Sequence, residues 1–365
     1  MTASVLRSDA LCPPGVPQPG WLAIEDGCIV ETGTGRPPSG ATDVGPAVLA
    51  PAFVDLQLNG VDDVDLAVAD APGWERAGRS LAQHGVTAYL ATFVSAPLDA
   101  YEAPLRRLRA ARVEPEPGAA APLGAHLEGP FLGSAPGAHR VDLLRPADVA
   151  WLGAILDAHP GQVRMVTLAP EADPGLAAVS WLASRGVLVA LGHSQASDAD
   201  ARAAAAAGAR VVTHVFNGMG PLHHRAPGLV GAALDDERLT PTLIADLVHV
   251  HPTVVRIVLA TKADVALVSD AVAVGGAVQR TDGAARLADG RLAGATALLD
   301  AAVTNLVGLG VPLERAVRAA STVPAGLLDL SDRGRLAVGA RGDVVALDPD
   351  SGALRAAWVG GAPVH

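Results

Sequence analysis

The sequence predicts an α/β protein: a (β/α)8 TIM-like barrel carrying a small β-sandwich domain formed by both termini. Across residues 50–332, apolar β-branched runs alternate with Ala/Leu/Arg-rich stretches of helical character, giving eight candidate strands. Gln57, Thr92, Glu128, His193, His214 and Asp270 each stand at or just past the C-terminal end of a different candidate strand. A closed barrel gathers such ends at one mouth. A doubly wound open sheet, the competing architecture, spreads them along a line. The third observation is at the two ends, 1–49 and 333–365, where short strands broken by Gly and Pro share a character that the middle lacks.

Taken in order, Gly20 to Val30 reads as a hairpin turned at Asp26-Gly27, the dipeptide that supplies positive φ at both turn positions. The candidate barrel strands are Val48 to Leu58, Val86 to Phe93, Pro122 to Glu128, Val163 to Ala169, Val187 to Gly192, Arg210 to His214, Thr242 to Leu247 and Val265 to Ser269. Helical patterns between them include Trp74 to His84, Ala147 to His159, Gly175 to Arg185, Asp198 to Ala207 and Pro252 to Thr261. At the far end, Gly334 to Gly339, Asp343 to Asp348 and Ala356 to Gly361 read again as short strands with glycine turns.

Composition bounds the function. The 365 residues suffice for one large domain and a small one, and a core of small aliphatics with 3% aromatics suits strands and helices in close contact. A net charge of −11 with no basic run argues against nucleic acid and anionic membrane as partners. Cys12 and Cys28 make neither a disulfide framework nor zinc-ligand spacing. No basic-then-apolar leader and no membrane-length apolar stretch is present, so the expected setting is the cytoplasm.

The chemistry sits at the strand ends. Alternation puts Asp55, Gln57 and Asn59 on one face of the first strand, and His126 and Glu128 on one face of the third. A carboxylate pointing into a barrel mouth costs several kcal/mol unless a cation or strong donors meet it, so Glu128 needs a metal or an arginine. His126, one layer deeper, reads as a core or supporting group. His193 and His214 at two further strand ends complete a Glu/His/His set, and three protein ligands with an open position describe a catalytic metal site. Asp270 either caps the next helix or handles the proton of an activated water. His139 and His249 lie in loops that reach the mouth. His84, His159 and His365 read as structural or surface residues, and His223, His224 and His251 are not expected to be ligands.

Together, Pro51-Ala52-Phe53-Val54-Asp55-Leu56-Gln57-Leu58-Asn59-Gly60, His126-Leu127-Glu128-Gly129-Pro130-Phe131, Gly192-His193-Ser194, Thr213-His214-Val215-Phe216-Asn217-Gly218-Met219, Arg225-Ala226-Pro227-Gly228 and Val268-Ser269-Asp270-Ala271 resemble the N-acetylglucosamine-6-phosphate deacetylases of the amidohydrolase superfamily. The resemblance implies one divalent metal ion per subunit, Zn2+ by expectation, on Glu128, His193 and His214. It implies Asp270 as base toward water and then acid toward the leaving amine. Ala138 and His139 are expected near the substrate carbonyl, and the Asn217 and Gly218 N–H groups at the 6-phosphate, with Arg225 and His249 supplying positive charge. It further implies a homodimer in which Arg225 or His249 reaches the neighbouring site. Leu292, Ala293 and Gly294, in a glycine-rich turn before the last long helix, match a substrate-lining segment.

Gln57 and Asn59 stand where other amidohydrolases carry His-x-His, so Gln57 marks the position of a second metal that this chain is not built to hold. The implied reaction releases acetate and glucosamine 6-phosphate from N-acetylglucosamine 6-phosphate, in amino-sugar catabolism and recycling. The alternatives are another amidohydrolase acting on a cyclic amide or N-acyl amino acid, and a non-catalytic sugar-phosphate-binding protein. Binuclear members use a carboxylated barrel lysine, but the only lysine, Lys262, falls near a helix end. A non-catalytic chain predicts an eroded ligand or Asp270, and none is eroded.

Overall fold

The chain is described by a computed structural model covering residues 3–11, 18–113, 118–276, 278–281 and 283–365. Cys12 lies outside these residues, and Cys28 is exposed and unpaired. Eight parallel strands run around one sheet in sequence order: β1 (Phe53–Leu58), β2 (Val86–Val94), β3 (Ala121–Glu128), β4 (Val163–Leu168), β5 (Leu188–Leu191), β6 (Val211–Val212), β7 (Thr240–Leu243) and β8 (Ala266–Leu267). The two edges meet. Leu58 bridges Ala271 in parallel, the Asp270 N–H donates to the Gln57 carbonyl at 2.9 Å, and the Asn59 N–H donates to Ala271 at 2.8 Å. The sheet is therefore a barrel, as the sequence predicts.

One buried cluster draws side chains from strands around the ring, among them Leu56, Leu90, Met165, Val211 and Val268, together with Val323 and Leu328 of the last helical turns. A larger cluster packs the outer faces of the strands against the helices. The helices start where their caps dictate. Asp70 accepts from the Gly73 N–H at 2.9 Å to open Ala71–Gln83, and Ser197 with Asp200 forms a capping box on Asp198–Ala207. Helices Glu102–Val113 and Gly228–Asp235 fill crossovers that the sequence reading did not single out.

Several expectations need correcting. The run Val48 to Leu58 is two strands: Val48–Pro51 belongs to the terminal sheet and β1 begins at Phe53, with the Ala52 N–H bonded to Asp343 rather than to a barrel neighbour. Apolar residues flank this break on both sides and both segments are buried, so hydrophobicity alone does not reveal it. The strands expected to reach His214, Leu247 and Ser269 stop at Val212, Leu243 and Leu267. Beyond those points the backbone leaves the ladder, with positive φ at His214, Leu247 and Asp270. Gly334 to Gly339, expected as a strand, is a chain of turns with positive φ at Gly334 and Gly339.

Both termini share one eight-stranded sheet. Its hinge is Val48–Pro51, parallel to Ala3–Leu11 on one side and antiparallel to Val344–Leu347 on the other. The expected hairpin is present, with φ of 48° at Asp26 and 81° at Gly27. Leu22, Ile24, Leu49, Val344 and Trp358 form this sheet's own core. Between β8 and the last long helix, Val278–Thr281, Ala284–Leu287 and Leu292–Ala295 make a three-stranded antiparallel flap. Leu292, Ala293 and Gly294 are thus in a strand and not, as expected, in a turn, because the Arg286 to Leu292 pairing gives their backbone a ladder partner.

Candidate active site

At the C-terminal mouth of the barrel, the backbone turns polar side chains toward one point. His193, His214 and Asp270 all adopt positive φ (49°, 32° and 50°), a region that costs a non-glycine residue of order 1 kcal/mol or more and persists where the surroundings enforce it. Each lies just past the last ladder pair of its strand, and β3 delivers Glu128 as its final residue.

Glu128 is the hub, almost completely buried. Its Oε1 accepts from Gln57 Nε2 at 3.0 Å and lies 3.1 Å from His193 Nε2 and 2.9 Å from His214 Nε2. Its Oε2 is 3.8 Å from His139 Nε2. Burial alone would raise the carboxyl pKa, but the facing His193 and His214 imidazoles together outweigh it and hold Glu128 well below the ordinary value. At His214 burial is the largest single influence and would lower the imidazole, but the Glu128 contact and the charges of Glu128 and Asp270 together outweigh it and raise the pKa.

The other ring nitrogens separate the histidines by role. His193 Nδ1 lies 3.1 Å from the carbonyl of Ala135, which only accepts, so Nδ1 carries the proton and Nε2 keeps a lone pair. His139 is the opposite case. The Ser95 N–H, which only donates, meets His139 Nδ1 at 3.4 Å with Ser95 Oγ at 2.9 Å, so the proton belongs on Nε2 and points into the site. Burial, reinforced by the neighbouring His193, lowers His139 to about 3 and keeps it neutral. Glu128, His139 and His193 bring candidate ligand atoms within 4.8 Å of one another. The tautomers nevertheless favour His193 as a lone-pair donor and His139 as an N–H donor. His214 Nδ1 is buried without a partner among the described residues.

Asp270 faces this cluster. Its Oδ1 accepts from Asn59 Nδ2 at 2.8 Å and from Gln57 Nε2 at 3.1 Å. Burial, then the charge of Glu128, raises its carboxyl to about 6, near the pH at which a proton can be both taken and returned. Gln57, the residue expected to mark a second-metal position, therefore donates one amide group to two carboxylates. Deeper still, His126 lies between Thr92 Oγ1 at 3.3 Å and Thr167 Oγ1 at 2.7 Å, and burial lowers it to about 4. It supports the site from below, as expected.

Above the cluster is a cavity of about 590 Å3. Of the sequence-predicted substrate residues, Ala138, His139, Asn217, Gly218 and His249 line it, and so do Leu292, Ala293 and Gly294 on the flap. Gly218 has φ 58°, and a Cβ there would lie 2.6 Å from His193 Nδ1. His249 Nδ1 is held by Asp246 Oδ2 at 2.7 Å; burial would raise the Asp246 pKa, but this contact, the His249 charge and the backbone N–H groups of His249 and Val248 together lower it. Arg225 is different: it is exposed and does not line its own chain's cavity.

Sequence reasoning passed over several cavity residues that the fold supplies, among them Ser95, Asp65, Arg291 and Val272. Of these, only Ser95 had a local signal, a polar residue two positions past the end of the second candidate strand. His251 caps helix Pro252–Thr261, His84 pairs with Asp300, and His159 pairs with Glu102, so all three are structural. His223 and His224 stack at 4.3 Å on the exposed loop. Lys262 donates to the Asp236 carbonyl at 2.9 Å, away from the mouth. No helix among the described residues is long and apolar enough to cross a membrane.

The sequence pattern of the amidohydrolase family matches residues 48–364. The chain is 38% identical over 351 residues to an N-acetylgalactosamine-6-phosphate deacetylase of Escherichia coli O157:H7, covering 90% of this chain and 92% of that protein. It is 34% identical over 354 residues to the N-acetylglucosamine-6-phosphate deacetylase of Vibrio furnissii, covering 92% and 88%. Among solved structures, N-acetyl-D-glucosamine-6-phosphate deacetylase from Mycobacterium smegmatis superposes with a TM-score of 0.91 at 36% identity, over 99% of this chain and 100% of that one. A D-hydantoinase with a TM-score of 0.66 at 13% identity shares the fold alone.

Proposed function

The chain belongs to the amidohydrolase family, and from that premise we propose that its cavity hydrolyses the N-acetyl amide of N-acetylglucosamine 6-phosphate, giving glucosamine 6-phosphate and acetate. The observation that carries the reading is the meeting of Asp270 with the Glu128–His193–His214 cluster on the floor of a cavity walled by Asn217, Gly218 and His249. Relatives named as deacetylases of two amino-sugar phosphates support the substrate class.

Glu128, His193 and His214 are the residues that would hold a divalent ion. The donor set fits: one ionised carboxylate with two imidazole Nε2 atoms facing it, and a Nδ1 proton on His193 fixed by a carbonyl. We take the ion to be Zn2+, which nitrogen and carboxylate donors of this kind suit. When bound, such an ion supplies charge that polarises the amide carbonyl and makes water acidic enough to lose a proton near neutral pH.

The chain's own residues do the rest. Asp270 Oδ accepts the proton of the attacking water and delivers it to the leaving amine nitrogen, with Asn59 and Gln57 fixing the carboxylate's orientation. His139 Nε2–H donates to the substrate's carbonyl oxygen, with Ala138 beside it. The N–H groups of Asn217 and Gly218 and the ring of His249 face the 6-phosphate. Arg225, free of its own cavity, reaches the neighbouring site in a homodimer. Because a sugar phosphate is an intracellular metabolite, the proposal places the enzyme in the cytoplasm, in amino-sugar catabolism and recycling.

Acetate release measured side by side with N-acetylglucosamine 6-phosphate and free N-acetylglucosamine tests the reading. Release from the phosphorylated sugar is expected to dominate, and a metal-loaded enzyme that releases none sinks it.

A further inference from the structure

The roof of the cavity is made of two pieces that are far apart in sequence, the loop carrying Gly137 to Arg140 and the flap strand Leu292–Ala295. One side chain joins them. Arg291 Nη1 donates to the carbonyl of Gly137 at 2.8 Å, and its Nε donates to Asp289 Oδ2 at 2.7 Å. Asp289 thereby fixes the plane of the guanidinium, and the hydrogen bonds from Arg291 lower the Asp289 carboxyl pKa. Among the described residues, Arg291 Nη2 makes no hydrogen bond, so the fork keeps a free donor edge at the cavity wall.

The place of this edge is defined by its neighbours. A Cβ on Gly137 would lie 3.2 Å from His193 Cε1, and a Cβ on Gly218 would lie 2.6 Å from His193 Nδ1. Gly137, to which Arg291 is tied, and Gly218 therefore flank the same imidazole ring. The other arginine of the cavity wall, Arg140, has two of its nitrogens on the Asp142 carboxylate, at 3.2 and 2.5 Å, and its side chain is 72% exposed. Arg225 is outside the cavity altogether. Arg291, its side chain 53% exposed, is the arginine of this wall that is tied to the Gly137 loop beside His193 and keeps Nη2 to spare.

We propose that Arg291 is a specificity-determining residue for the phosphorylated substrate: it pins the Gly137 loop to the flap and offers a guanidinium edge from the same chain to the substrate's phosphate. This rests on the deacetylase reading above. An arginine edge meets a phosphate through two parallel charge-assisted hydrogen bonds, whereas a lysine offers a point charge.

The test is steady-state kinetics of the wild type, Arg291→Gln and Arg291→Lys on N-acetylglucosamine 6-phosphate and on N-acetylglucosamine, with inorganic phosphate as a competitive inhibitor. For Arg291→Gln, the ratio of kcat/KM between the phosphorylated and free sugars is expected to fall roughly 10- to 100-fold, mainly through KM. The inhibition constant for inorganic phosphate is expected to rise in parallel. Arg291→Lys is expected to recover part of both. An equal loss on both sugars, or an unchanged phosphate inhibition constant, overturns the proposal, because a merely structural clasp would give that result. Failure of the deacetylase reading is a separate outcome, seen as no acetate from either sugar with the wild type. Thermal unfolding midpoints of the variants, measured without ligand, separate a loosened roof from a lost contact.

Discussion

Asn59 Nδ2 donates to Asp270 Oδ1 across 2.8 Å, so the first and last strand ends of the barrel hold the same carboxylate. That contact leaves Asp270 oriented toward the Glu128 cluster without being part of it. On the proposed function, the residue's role is therefore expected to separate from metal retention.

Asp270→Asn is expected to lower kcat by roughly 10²- to 10⁴-fold, the usual worth of a positioned acid or base. Metal content per chain, measured by elemental analysis, is expected to stay at the wild-type level. Loss of the metal together with activity would make Asp270 a ligand and remove its assignment as the proton carrier.

Chelation and reconstitution probe the Glu/His/His set. His214→Ala and His193→Ala are each expected to abolish stoichiometric metal binding, whereas His139→Ala is expected to retain metal and lose kcat. Metal loss from His139→Ala at the same level as from His214→Ala would overturn the tautomer argument, which places the His139 proton on Nε2.

Gly218→Ala is a steric test. At φ 58°, with a would-be Cβ 2.6 Å from His193 Nδ1, a methyl group must push the ring or the turn. Weaker metal affinity and a raised KM for the phosphorylated sugar are expected, read by metal titration and by kinetics. An alanine variant with wild-type values on both would show that the turn has slack.

Arg225→Ala is expected to raise KM for N-acetylglucosamine 6-phosphate while changing free N-acetylglucosamine much less. If the residue acts across a homodimer, mixing Arg225→Ala with Asp270→Asn protomers restores activity in hybrid dimers. Absence of any restoration in confirmed heterodimers argues for a monomeric site.

Asp55 gives a pH prediction. It is wholly buried, accepts from the N–H groups of Gln57 and Ser269, and burial raises its carboxyl from 3.8 to about 7. The native state therefore binds a proton that the unfolded chain has lost between about pH 4 and 7, and stability from this group falls as pH rises across that window. Asp55→Asn cannot titrate. The stability difference, wild type minus variant, is expected to decline from pH 4 to pH 7 in denaturant titrations, and a flat difference would refute the raised carboxyl.

What the sequence reveals about this protein follows a physical rule. Glu128, His193, His214 and Asp270 are legible because a polar residue closing an apolar run is costly unless the fold uses it. Asp55 falls within such a run, where alternation alone marks it; its Ser269 N–H partner is 214 residues away. Arg291 is not legible at all, since its partner is a carbonyl 154 residues distant and carbonyls leave no trace in a sequence. The break at Ala52 is hidden for a simpler reason: two sheets ask for the same apolar residues.

The closure of the barrel has a consequence for motion. The bonds that join β1 to the chain beyond β8, from Asp270 N–H to Gln57 and from Asn59 N–H to Ala271, come from the same residues that aim the carboxylate proposed to handle the proton. Breathing of the barrel at this joint would misalign Asp270 at the same moment that it admits solvent between the strands. In hydrogen–deuterium exchange, the amides of Asn59 and Asp270 thus act as a clock for the fraction of time the enzyme is catalytically competent, and a substitution that loosens the joint lowers turnover without touching any group that meets the substrate.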